Sequence, residues 1–227
     1  MFFLQISLGF PEKIAIKMNK TFGKWLILSL SLVLTTIFLH SILNIKELTY
    51  NTLAERLTSK QINRFLDFQE KWHWIGYVFV PLIILIKTSL IASILHIGIF
   101  FFGKSTITHE QLWNIVINAE FIFLLVPFSK IVWFYFFYTN YKLEDIQNFY
   151  PLSALNIIGY DDLKPWFIYP FQILNLFELS YWLILAYYIG KNTQTNTDRG
   201  LKIVAYSYGS ALLLWVVTIM FFALNYL

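Results

Sequence analysis

Apolar residues run almost unbroken through five stretches of the chain, about Trp25 to Leu43, Trp74 to Phe102, Trp113 to Tyr138, Trp166 to Ile189 and Ile203 to Tyr226. At about 1.5 Å per residue, each is long enough to cross a hydrocarbon core of about 30 Å. None alternates with the period of a barrel strand, so in lipid only helices satisfy these backbones. The pattern predicts an all-α integral membrane protein of five transmembrane helices. Prolines inside the third and fourth stretches, Pro127 and Pro170, predict kinks there. The longest polar piece, Lys46 to Lys71, is too short to bury a core of its own. The expected organisation is therefore an N-terminal cytoplasmic leader over 1–24 and a single transmembrane helical domain over 25–227. Within the polar piece, Ile62, Phe65, Leu66 and Trp72 recur at helical spacing, which predicts a short amphipathic helix over Thr58 to Trp72. Such a helix either caps the outer face of the bundle or lies in the interface and meets a partner.

Composition sharpens this. Apolar residues make up 58% of the chain and charged residues 13%, against about 25% charged in a soluble domain. The net charge of +4 comes from lysines and arginines gathered at the ends of the stretches. There they set orientation and meet anionic headgroups, and nucleic acid is not an expected partner. Tryptophans and tyrosines sit at the same ends: Trp72, Trp74 and Tyr77, then Trp133, Tyr135 and Tyr138, then Trp166 and Tyr169. The absence of cysteine excludes disulfides and thiol chemistry.

Translation begins either at Met1 or at Met18. Lys20 and Lys24 before an apolar run resemble a signal peptide, but the run is too long and no small-x-small site follows, which predicts an uncleaved first span. Loops on the side of the leader carry eight basic residues (Lys13, Lys17, Lys20, Lys24, Lys104, Lys191, Arg199 and Lys202) against seven on the other side. The lysines ahead of the first span place the N-terminus inside and the C-terminus outside.

A duplication is visible. Gly103 to Thr108 reads GKSTIT and Gly190 to Thr195 reads GKNTQT, identical at four of six positions with an offset of 87. Trp113-Asn-Ile-Val116 matches Leu201-Lys-Ile-Val204, and Pro81-Leu-Ile-Ile-Leu85 matches Pro170-Phe-Gln-Ile-Leu174. Helices two and three therefore read as a copy of helices four and five, running in the same direction as a parallel repeat.

Most motifs carry no chemistry. Gly98 to Ser105 matches a phosphate-loop pattern, but it ends an apolar helix where a phosphate loop must follow a strand, so nucleotide binding is not expected. His109-Glu110 lacks a second histidine at the spacing of a zinc protease, and Asp161-Asp162 lacks a companion acidic motif. No metal or cofactor is implied. The intramembrane charges differ. A charge near the bilayer centre costs roughly 2.5–3.5 kcal/mol, so it tends to be paired or functional. Lys87 and Glu178 count to the midplane, Glu120 lies roughly 8 Å to the inner side of it and Lys130 about 7 Å to the outer side. These four form the candidate intramembrane polar site, with His96 as a further ligand, relay or interhelical hydrogen-bonder. Lys87 and Glu178 are expected to pair across the repeat interface.

The five-span layout, short inner loops, prolines within spans, duplicated helix pairs and the Tyr206-Ser207-Tyr208-Gly209 stretch early in the last span resemble the Yip family of membrane proteins. The resemblance covers about Trp74 to Tyr226 and implies a fold more than a function. The acidic N-terminal motif of the eukaryotic members is absent, so small-GTPase binding is not carried over. Composition rich in Lys, Asn, Ile and Phe points to an AT-rich bacterial source, hence to a bacterial inner membrane. The functional expectation is a protein without a catalytic site, acting as a scaffold, adaptor or accessory subunit of a transport or export system beside other membrane-protein subunits. The alternatives are a small transporter or channel lined by the intramembrane charges, and an intramembrane enzyme acting on lipid.

Overall fold

In a computed structural model, the described residues are 12–102, 107–160 and 163–226. Helix α1 (Glu12–Ile42) is followed by a left-handed Asn44 and the short α2 (Ile45–Ala54). The chain turns at Thr58, whose backbone N–H and hydroxyl both donate to the side chain of Gln61, and enters α3 (Ser59–Phe102). The amphipathic segment expected as a separate helix is thus the first part of α3. Helix α3 runs without a break for 44 residues through Pro81. Residues 103–106 lie outside the described part, and with them most of the first GKxTxT copy.

Helix α4 (His109–Glu120) opens on a capping box in which Thr108 and Gln111 satisfy each other's backbone N–H groups. It tightens into a 3₁₀ turn, Phe121–Leu124, before α5 (Leu125–Val132). Pro127 accounts for the tightening: its ring displaces the carbonyl of Phe123 from the regular ladder. A π-helical turn, Trp133–Phe137, ends this run. The following loop carries α6 (Leu143–Asn148) and α7 (Leu155–Ile158). Then come α8 (Pro165–Ile173), α9 (Leu176–Asn192), α10 (Thr197–Val204), a second π-helical turn, Ala205–Gly209, and α11 (Ser210–Tyr226).

Four helical runs are long and apolar enough to cross a membrane: Lys20–Ile42, Ser59–Phe102, His109–Phe137 and Thr197–Asn225. The architecture is that of an all-α, multi-pass membrane protein. Trp166 to Ile189, expected as one span, is instead two helices, α8 and α9, separated at Leu174 and Asn175.

The main core gathers α3, α4, α9 and α10 around Ala92, Leu95, Leu112, Val116, Leu185 and Val204. Close backbone approach holds it together. A Cβ on Gly200 of α10 would fall 2.1 Å from the carbonyl oxygen of Ala186 on α9, and one on Gly98 of α3 would fall 2.5 Å from the Cβ of Ser207. Small residues at such crossings substitute for the hydrophobic force that lipid removes between helices. Gly98, the first residue of the phosphate-loop-like pattern, is a helix-crossing residue inside α3, and Gly103 to Ser105 of that pattern lie outside the described residues. Helix α1 packs on α4 through Trp25, Leu28 and Ile117, and Lys24 donates to Asn114 and Asn118, each at 2.9 Å.

Candidate functional site

The break between α8 and α9 has a local cause. Asn175 caps α9, its side-chain oxygen accepting the N–H of Glu178 at 2.8 Å while its amide donates to the carbonyls of Gln172 and Ile173. An asparagine competes with the helix by bonding nearby backbone, which ends α8 and starts α9 in one residue. The backbone groups freed by the break do not stay open. Ser153 and Asn175 form an antiparallel bridge, with Ala154 N–H donating to Leu174 O at 2.8 Å and Leu176 N–H donating to Leu152 O at 3.2 Å. The long loop therefore folds onto the bundle and seals the break. This puts Leu152 at a φ of 55°, a left-handed conformation that a leucine adopts only under constraint from its surroundings.

Glu178 lies in the first turn of α9, where the helix dipole favours a negative charge. Its Oε1 accepts two donors, the Trp182 indole at 2.9 Å and the Tyr208 hydroxyl at 2.8 Å. Tyr208 belongs to the second π-helical turn, whose widened register brings it against both Tyr181 and Trp182. Neither of those donors engages Oε2. Below this lies the second carboxylate, Glu120, at the end of α4. It is almost wholly buried and accepts Lys87 of α3 at 2.9 Å. The Lys87 ammonium also sits 4.7 Å above the Phe123 ring, which itself packs on Tyr181.

The expected pairing of Lys87 with Glu178 is corrected here: the geometry gives Lys87 to Glu120 and leaves Glu178 to neutral donors. Between the two carboxylates stands Tyr181, fully buried, its hydroxyl beside Glu120 but outside regular hydrogen-bonding geometry. Glu120 Oε1 and the Tyr181 hydroxyl are both buried and without a hydrogen-bond partner. Buried polar atoms without a partner are uncommon, and each carries a desolvation cost.

Of the five residues singled out from the sequence, three meet in this region and two do not. Lys130 donates to the carbonyl of Ile146 at 3.0 Å, so it pins α6 to α5 as a cation at a helix C-terminal end. His96 is exposed, edge-on to His109 at 6.3 Å. The sequence reading missed Asn175, Tyr181 and Trp182, and marked Tyr208 only within the Tyr206-Ser207-Tyr208-Gly209 stretch and not as a site residue. One signal for the first was present: Asn175-x-x-Glu178 has the spacing of a helix N-terminus.

A cleft of about 1450 Å³ opens onto this site. One wall is Phe128, Trp133 and Phe137 of the third run, another is Leu179 and Trp182 of α9 with Leu212 of α11, and the bridged loop and Asn175 close it. Glu178 lies on its surface. Replacing Asn175 by alanine is expected to weaken the α9 cap by about 1 kcal/mol. Circular dichroism in detergent should then show a lowered midpoint with little loss of helix, since the other helices keep their own caps.

Comparison with protein-family models, with curated proteins and with solved structures found no match to this chain.

Proposed function

We propose that this chain is a small membrane transporter whose binding site is the break between α8 and α9. The observation that carries the reading is the capped break itself, with a carboxylate in the first turn beyond it and a cleft leading to it. Irregular backbone at membrane depth is tolerated only where protein or a water-lined cavity satisfies it. Discontinuous helices with charged groups at the break are a recurrent way to build a transport site. In this reading α8 and α9 together make a fifth crossing, interrupted at Asn175.

The parallel repeat fits the same picture. The caps Thr108 and Asn196 stand 88 residues apart, each opening the second helix of a hairpin, α3–α4 and α9–α10. The same offset relates Glu120 to Tyr208, so each copy supplies one polar group to the region between the hairpins. The Yip-like resemblance, a bacterial inner membrane and a cytoplasmic N-terminus belong to this proposal, resting on the layout of the spans and the lysines ahead of the first.

The test is solute flux into proteoliposomes. Wild type is expected to exceed protein-free vesicles, and Glu178→Gln is expected to fall to the protein-free rate while still eluting as a folded monodisperse species. Flux that survives Glu178→Gln unchanged, or no flux with any class of ion or amphiphile, counts against the proposal. The scaffold or accessory-subunit reading draws on a different feature: the first part of α3 exposes Phe65, Phe68, Trp72 and Trp74. Stoichiometric co-purification of a second membrane protein, lost on mutating those four residues, would favour it.

A further inference from the structure

We infer that the cleft takes a lipophilic cation, an amphiphile with one apolar arm and a single ammonium-type head, with Glu178 as its counter-ion. The inference rests on the site proposed above and names what enters it. Among the described residues, the cleft wall holds two charged side chains, Asp145 and Glu178, both acidic, and no lysine or arginine. Asp145 is already committed: it accepts the backbone N–H of Lys142 at 2.7 Å and the hydroxyl of Tyr160. Glu178 has both its donors on Oε1, and Oε2 is the acceptor left to a ligand. The nearby Lys87 is already paired with Glu120 at 2.9 Å, and a carboxylate in apolar surroundings binds a cation more strongly than it would in water, because less solvent competes.

The rest of the wall suits the remainder of such a molecule. Trp133 stacks at 15° on Phe149, and Phe128, Phe137 and Trp182 add further ring faces. Aromatic faces attract quaternary ammonium and phosphonium heads, which hydrogen-bond donors cannot anchor. The volume exceeds the roughly 300–1,000 Å³ of ordinary small-molecule pockets, leaving room for an alkyl arm along Leu179 and Leu212. A neutral amphiphile would leave Oε2 of Glu178 without a charged partner, and an anionic one would be repelled by it.

The experiment is equilibrium binding to the purified protein in nanodiscs of zwitterionic lipid. The probe is benzyldimethyloctylammonium below its micellar concentration, read by quenching of tryptophan fluorescence. Saturable quenching is expected, weakened at least about tenfold for the isostere with carbon in place of nitrogen and for Glu178→Gln. If Glu178→Gln does not fold, Leu212→Trp fills the cleft while keeping the carboxylate, and the same loss is expected. Equal binding of cation and carbon isostere overturns the inference and makes the cleft a lipid-chain site. Absence of saturable quenching overturns it as well. Binding is read without a gradient, so the two proposals fail separately. Saturable binding without flux refutes transport alone. Glu178-dependent flux of another solute class, without binding of the probe, refutes the cation alone.

Discussion

Gly200→Ala is expected to be the most damaging single-methyl change in the molecule. The added Cβ would meet the Ala186 carbonyl oxygen at 2.1 Å and its carbonyl carbon at 2.9 Å. Both are backbone atoms, so no side chain can rotate away, and α10 must separate from α9. Overpacking in a core typically costs 1–3 kcal/mol, and with backbone on both sides about 3 kcal/mol or more is expected here. The separation would also withdraw Tyr208 from Glu178, since Tyr208 follows α10 directly. The measurement is thermal unfolding in detergent, followed by size-exclusion elution. Gly76→Ala serves as the control: a Cβ there meets nothing within 4 Å, so the helix should gain roughly 0.5–1 kcal/mol from the better helix former. If the two variants melt alike, the close crossing of α9 and α10 is not what holds the bundle.

The second large effect concerns Lys87 and Glu120. Removing one member of a buried pair strands the other, at a cost of about 3–5 kcal/mol. The two members are unequal, with side-chain exposures of 43% for Lys87 and 3% for Glu120. Lys87→Met leaves a buried carboxylate without its counter-charge and is expected to destabilise by a few kcal/mol, at the lower end of that range. Glu120→Gln leaves an ammonium that still has the Phe123 ring and an open side, and should cost less. The double variant Lys87→Met/Glu120→Gln should recover much of the stability lost by Lys87→Met, because no unpaired charge remains. Denaturation of all three in one detergent tests this. Strict additivity of the two single losses would mean that the pair contributes no coupling.

The long apolar runs were legible because lipid imposes a minimum length on anything that crosses it. The four uninterrupted ones appear at the places the pattern gives them, three with ends within about six residues and the second with its start at Ser59, fifteen residues ahead of Trp74. The break at Asn175 was not read, because one polar residue barely lowers the hydropathy of a span, although a capping asparagine decides the backbone locally. Lys87 and Glu178 were counted to similar depths, but depth says nothing about which way a helix is rotated. The count also took Trp74 as the start of α3, which begins at Ser59. Tyr181 carries no signal, and Tyr208 stands out only within the Tyr206-Ser207-Tyr208-Gly209 stretch; both are among 14 tyrosines in a chain whose apolar stretches lack a distinct face. Their role comes from the π-helical turn and the crossing of α10 over α9, which are tertiary facts.

Helix α3 has one more consequence. Its 44 residues measure about 66 Å at 1.5 Å per residue, twice the thickness of a hydrocarbon core. The third of it from Ser59 to Trp74 meets α2 through the exposed Lys46–Glu70 contact of 2.8 Å. Such a rod converts angle into displacement. A ten-degree change in tilt, as a thinner bilayer or a moving neighbour would impose, swings the Ser59 end by on the order of 4 Å. The longer part of the same rod, after Trp74, carries Lys87 and Gly98. As far as the helix stays straight through Pro81, whatever leans on the far end is felt where α3 meets Glu120 and Ser207.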